Sequence, residues 1–268
     1  MKSRNSTVRT GLFLAAILAG SASLAIAQDA ATKLVPGGEF NRGRTHEWSD
    51  KDLPWYPNPL KDDTPVKRIR VDSFLMDEAE VTNARYAAFV AATQHRPPYY
   101  WIKGEVAKGE ENFPVVNVSW DDAVAFCAWD GKRLPTEAEW ERACRGKQDD
   151  KKYPWGDEDP TEEQAHFNSQ EGGPVAVCSK TRNDFELCDM IGNAWEWTSD
   201  WYDGKYYADA PAENPQGPEM GRYRVVRGGS WFDKSASQFL TCSYRSWTRP
   251  PERSPNIGFR CVKPAPAE

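Results

Sequence analysis

The sequence predicts an α+β domain with little regular secondary structure, held together by disulfides. Three observations predict it. Only three segments combine a helical pattern with a cap, and the strand candidates are few and short. Long stretches rich in Pro, Gly, Asp and Trp separate them, notably 96–116, 146–176 and 203–222. Loops of that length are uncommon in a compact domain unless something orders them. Six cysteines, Cys127, Cys144, Cys178, Cys188, Cys242 and Cys261, supply the means, and bound ions are a second candidate.

The chain opens with Lys2, Arg4 and Arg9, an apolar stretch from Leu12 to Leu18 and the small-x-small site Ala25-Ile26-Ala27. That order is an export signal over residues 1–27, with cleavage expected after Ala27. An even cysteine count in an exported chain reads as three disulfides with no thiol left over, although six cysteines allow many pairings. Strands are expected at Val66 to Val71 and Phe74 to Met76. Thr82-Asn83 then starts a helix running through Val90, with Tyr86 and Phe89 three apart on one face. Ser119 caps a second helix reaching Trp129, whose Asp121-Asp122 pair suits the positive end of the helix dipole. Thr136 and Glu139 match a capping box for a third, ending at Cys144. Further strands are expected at Arg224 to Arg227 and Phe259 to Val262, and residues 264–268 read as a frayed tail.

Composition narrows the function classes. With 12 Trp, 10 Tyr and 11 Phe there is bulk for a large core, since each aromatic buries about 150–250 Å². A net charge of −6 argues against nucleic acid or an anionic membrane surface as the main partner. No stretch reaches the roughly 20 apolar residues of a membrane span, and no cysteine near the cleavage site is placed to carry a lipid. The mature protein is therefore expected in the periplasm or outside the cell. The sequence lacks G-x-S-x-G, P-loop, G-x-G-x-x-G and H-E-x-x-H motifs. Its three histidines, His46, His95 and His166, read as surface or structural imidazoles rather than a metal triad. Asn117-Val118-Ser119 forms a glycosylation sequon, meaningful only in a eukaryotic host.

Eight phrases occur in order: Val35-Pro36-Gly37-Gly38-Glu39-Phe40, Met76 to Asn83, Pro114 to Trp120, Lys132 to Glu141, Tyr153-Pro154-Trp155-Gly156, Gly192-Asn193-Ala194-Trp195-Glu196-Trp197, Arg227-Gly228-Gly229-Ser230-Trp231 and Asn256-Ile257-Gly258-Phe259-Arg260. Together they resemble the formylglycine-generating enzyme family, also called the sulfatase-modifying factor family, over residues 33–263. The resemblance implies a single irregular domain, distantly like a C-type lectin and usually holding calcium. It implies the pairs Cys127–Cys261 and Cys144–Cys242, leaving Cys178–Cys188 to close a local loop.

The resemblance also exposes a departure. Catalytic members carry two further cysteines after G-G-S-[YW] that bind copper and attack the substrate thiol. Here the first position is Asp233 and the second Gln238 or Phe239, so copper is not expected. The implied cleft residues are Trp195, Ser230, Arg245 and Asn256, which would contact a peptide or protein ligand. Asp233, Ser230 and Arg245 are the candidate catalytic groups, with Asp233 a candidate partner for the Arg245 guanidinium. The implied structural calcium site comprises the Asp189 and Glu196 carboxylates and the Gly192 and Ala194 carbonyls, with Asn168 and Ser169 in a second. Three functions are compatible with these residues: maturation of a peptide-like substrate without the cysteine pair, as in the pyoverdine-maturation branch; a non-catalytic, calcium-stabilised binding or scaffold module; and formylglycine-generating oxidation, against which the missing thiols weigh.

Overall fold

Short polar residues start each main helix. Thr82 accepts a hydrogen bond from the Arg85 N–H and opens α1 (Asn83–Thr93), which stops at Gln94 in the left-handed region. Ser119 with Asp122, and Thr136 with Glu139, close capping boxes at the heads of α2 (Trp120–Trp129) and α3 (Glu137–Arg145). Such reciprocal bonds satisfy N–H groups that a first helical turn leaves without partners. A single turn, α4 (Tyr206–Asp209), lies where the sequence presents only loop. The computed structural model describes residues 31–46, 62–169, 172–234 and 239–266; the export segment 1–27 and Gln238 lie outside them.

Among the described residues, nine strands make three small sheets. β1 (Thr32–Val35), β4 (Phe74–Asp77) and β9 (Val262–Pro264) form an antiparallel sheet in the order β1-β4-β9. β2 (Gly38–Arg42) pairs with β3 (Lys67–Val71), where Ile69 and Val71 alternate inward between exposed arginines. In the third sheet, β7 (Ser246–Thr248), β6 (Arg224–Arg227), β5 (Trp195–Trp201) and β8 (Ile257–Gly258) lie in that order, with β5 and β8 parallel.

Two apolar clusters fill the interior. One gathers Phe40, Ile69, Phe74, Trp140 and Leu240; the other gathers Tyr86, Phe126, Trp197 and Phe259, with Tyr86 stacked on Phe126 at 5.7 Å between centroids. Disulfides tie helices to distant chain: Cys127–Cys261 joins α2 to the segment before β9, and Cys144–Cys242 joins α3 to the segment before β7. Each closes a long loop, worth about 4 kcal/mol in the chain-entropy account. Cys178–Cys188 closes the local loop, and no described cysteine is free.

Several expectations are corrected. The strand expected at Phe259 to Val262 does not form there: β8 ends at Gly258 and β9 begins at Val262, and between them Arg260 turns inward to Glu196 and Cys261 into its disulfide. Pro264, expected in the frayed tail, still pairs with Phe74. In the three long loops, side chains capture backbone carbonyls. Asn83 donates to Glu110 O, Arg145 to Asp149 O and Lys151 O, and Arg245 to Asp203 O. The sequon asparagine, Asn117, is only 3% exposed and closed to modification in the folded chain. No described helix is long and apolar enough to cross a membrane.

Candidate functional site

β6 delivers the chain into a tight turn at Gly228-Gly229. A Cβ on Gly229 would lie 2.2 Å from the Leu240 side chain, and its φ of 75° is unfavourable for other residues, so this turn needs glycine. Ser230, fully buried, follows it. Its N–H and Oγ–H both donate to Asp233 Oδ2, at 2.8 and 2.7 Å. Asn256 Nδ2 donates to Ser230 Oγ at 3.2 Å, and the Asn256 carbonyl accepts from the Trp195 N–H where β5 meets the strand β8. The Trp195 indole N–H also reaches Asp233.

Four of the five candidate cleft and catalytic residues expected from sequence therefore meet in one cluster: Trp195, Ser230, Asp233 and Asn256. Burial raises the Asp233 pKa, and the Ser230 and Trp195 donors oppose that rise. The result is a half-buried carboxyl able to exchange a proton. Phe239 is half-buried and packs edge-on against Tyr244 at 5.1 Å, an apolar ring with no metal-binding atom.

Arg245 does not belong to this cluster. Its Nε and Nη2 donate to the Glu137 oxygens at 2.7 and 3.0 Å, and its Nη1 donates to the Asp62 and Asp203 carbonyls. The expected partner, Asp233, is replaced by Glu137 because a buried guanidinium is best met by a bidentate carboxylate. Glu137 also accepts from Arg42 and Arg227. One turn on, Glu141 accepts from Arg145, Arg227 and the Tyr207 hydroxyl. Sequence reasoning assigned this network no role. Its trace is the spacing of Glu137 and Glu141, four apart on one helix face.

The expected calcium carboxylates Asp189 and Glu196 belong to a second acidic cluster. Asp189 Oδ2 accepts from the Cys178 N–H at 2.6 Å. Both Glu196 oxygens accept from Arg260, and Oε2 also accepts from the Trp140 indole at 2.8 Å. Glu80, which sequence reasoning missed, lies fully inside and accepts from the Ala194 N–H and Asn193 Nδ2. Burial and the Asp189 and Glu196 charges push the Glu80 pKa well up. Burial also raises that of Asp189, with Glu196 adding to the rise. Asn168 and Ser169 sit elsewhere, their N–H groups donating to the Asp233 and Trp231 carbonyls beside the Ser230 cluster.

Among the described residues no group of three potential ligand atoms includes a histidine. His95 bonds Asp122 at 2.8 Å and His166 bonds the Gly173 carbonyl. Among the described residues the one group of three potential ligand atoms is Glu78 with the bridged Cys178 and Cys188.

A family model described as the sulfatase-modifying factor enzyme 1-like domain matches residues 22–265. The chain belongs to this family. It is 36% identical to the formylglycine-generating enzyme of Streptomyces coelicolor, over 86% of this chain and 88% of that one. It is 30% identical to a Bos taurus relative named inactive C-alpha-formylglycine-generating enzyme 2, over 86% and 87% of the two chains. Among solved structures, PvdO from Pseudomonas aeruginosa superposes with a TM-score of 0.70 at 25% identity, covering 87% of this chain and 93% of that one. Membership agrees with the sparse regular structure and with all three implied disulfides.

Proposed function

We propose that this family member holds a peptide-like ligand over Ser230, Asp233, Asn256 and Trp195 and modifies it without thiolate chemistry, with Asp233 as the proton-accepting group. The observation carrying this reading is the Asp233 carboxyl itself: half-buried, bound by Ser230 and Trp195, and raised in pKa, as proton-transfer groups commonly are. A second reading, a non-catalytic binding module, is favoured by the two Ser230 donors that already occupy Asp233 Oδ2. Copper chemistry of the formylglycine type lacks its ligands here, since all six cysteines are bridged and Cu(I) prefers soft thiolates to carboxylate.

Incubation of a Cys-x-Pro-x-Arg peptide with the protein, copper and oxygen is expected to leave its sulfur in place by mass spectrometry, while calorimetry still detects binding. Appearance of the aldehyde would overturn the proposal. Asp233→Asn separates the two readings: retained binding with loss of any peptide mass change marks the enzyme, whereas the module shows no mass change in either protein.

We further propose that Asp189 and the Gly192 and Ala194 carbonyls hold a structural calcium ion, with Glu196 completing the charge. The donors are hard oxygens, and the acids Glu80, Asp189 and Glu196 outnumber the cations acting on them, Arg260 and Lys180. Bound calcium would supply charge balance in this buried cluster. Calcium is expected to raise the thermal midpoint relative to chelator, equivalent to about 2.7 kcal/mol at a hundredfold excess over Kd. Asp189→Ala should remove that rise while leaving the Arg260–Glu196 pair intact. Equal midpoints for the unmodified protein with calcium and with chelator would dismiss the site.

The three disulfides support export to an oxidising compartment, the periplasm or the medium. Intact-mass analysis of the exported protein is expected to place its N-terminus at Gln28, and an intact Met1 would contradict this.

A further inference from the structure

Beside the Ser230 cluster runs a groove of about 390 Å³. Its walls are largely apolar: Tyr100, Phe113, Pro114, Pro174, Trp231 and Pro255. Trp231 and Pro255 are the sequence neighbours of Ser230 and Asn256, and the Trp231 indole donates to the Pro255 carbonyl, so groove and cluster share a wall. The Tyr100 hydroxyl donates to Asn83 Oδ1 at 2.6 Å, which fixes that wall in place.

One lining residue is out of keeping with this apolar surface. Asn117 is only 3% exposed, yet its Oδ1 has no hydrogen-bond partner. Its backbone is held, the N–H by the Ser254 carbonyl and the C=O by Arg253, and its φ of 58° lies in the left-handed region that asparagine tolerates. A buried amide oxygen left unbonded is unfavourable and marks a place where a partner is missing. The terminal torsion of asparagine is broad and roughly two-fold, so rotation offers either a donor or an acceptor. A peptide group, with one N–H and one C=O, is the complement. Glu110 is the only charged residue among the lining, with no basic residue, which disfavours an acidic occupant.

We propose that this groove seats a neutral aromatic side chain of a peptide bound across the Ser230 cluster, with the adjoining peptide group held by the Asn117 amide. The inference rests on the peptide reading above and adds the residue class that the ligand must carry. Aromatic rings supply large apolar contact and stack well against Tyr, Phe and Trp walls.

The test is calorimetric binding of blocked hexapeptides in which each position in turn is Phe, Ala, Lys or Glu. At one position Phe is expected to bind about tenfold tighter than Ala, the step that corresponds to 1.4 kcal/mol. Asn117→Gly keeps the left-handed backbone while removing the amide, and should weaken the peptides that bind. Phe113→Ala should remove the Phe preference selectively. A preference for Lys or Glu at that position, binding without any Phe preference, or full binding by Asn117→Gly would each overturn the proposal while leaving peptide binding standing. No binding by any peptide would overturn both.

Discussion

Glu137→Ala is expected to destabilise the fold by about 3–5 kcal/mol, the cost of leaving buried charges without their partner. Glu137 is fully buried at the first position of α3, and three guanidiniums converge on it: Arg42, Arg227 and Arg245, all 1% exposed or less. Arg227 retains Glu141 and two carbonyls, and Arg245 retains the Asp62 and Asp203 carbonyls. Arg42 loses its carboxylate partner altogether. Since whole domains are stable by only about 5–15 kcal/mol, much of the folded margin would go. Those arginines also hold the Glu137 carboxyl down at about 2 against the cost of its burial. A depressed acid stabilises above its unfolded pKa, so this contribution is complete above about pH 4.5 and is lost as pH falls toward 2. Urea midpoints at pH 7 for Glu137→Ala and Glu137→Gln give the measurement. A midpoint for the alanine variant indistinguishable from the unmodified protein would mean the network carries no stability.

Asp200 has the opposite sign. It is fully buried on β5, and burial together with the Glu137 charge raises its pKa to about 7. A raised acid favours the folded state while protonated, so its contribution is present below about pH 4 and is lost as pH climbs to about 7. Asp200→Asn keeps an acceptor for the Glu137 N–H and removes the titration. Relative to the unmodified protein, the variant should gain on the order of 3–4 kcal/mol between pH 4 and pH 7 and nothing further above it. Parallel pH profiles for the two proteins would show that Asp200 does not titrate in this range. Asp63, raised to about 6 chiefly by burial, works in the same direction and is unaffected by the substitution.

Local chemistry was legible in the sequence, and distant pairing was not. Ser119 with Asp122 and Thr136 with Glu139 lie three apart, so each helix start could be read from residues that touch one another. Strand β5 gave no comparable sign. Trp195 to Thr198 are all buried, so both faces are covered and the alternation that betrays a half-exposed strand is absent. Arg245 shows the same limit at the site. That a buried guanidinium needs an anion follows from its chemistry, but choosing Glu137, 108 residues away, over nearby Asp233 requires the fold. The Ser230 to Asp233 contact spans three residues and resembles a helix cap without a helix, yet both residues were reached only through the family resemblance, which left Asp233 assigned to Arg245.

The placement of β8 and β9 sets the order of events in folding. β5 is completed by β8 and β4 by β9, while Arg260 bonds Glu196 and the Cys188 carbonyl, and Cys261 closes onto α2. All of these residues lie between 257 and 264, so two of the three sheets and one long disulfide wait for a single short stretch. Until it docks, Glu196 lacks its arginine and Cys127 its disulfide partner. Assembly therefore cannot run to completion from the N-terminal side alone. Residues 257–264 act as a clasp that closes sheet, ion pair and disulfide together.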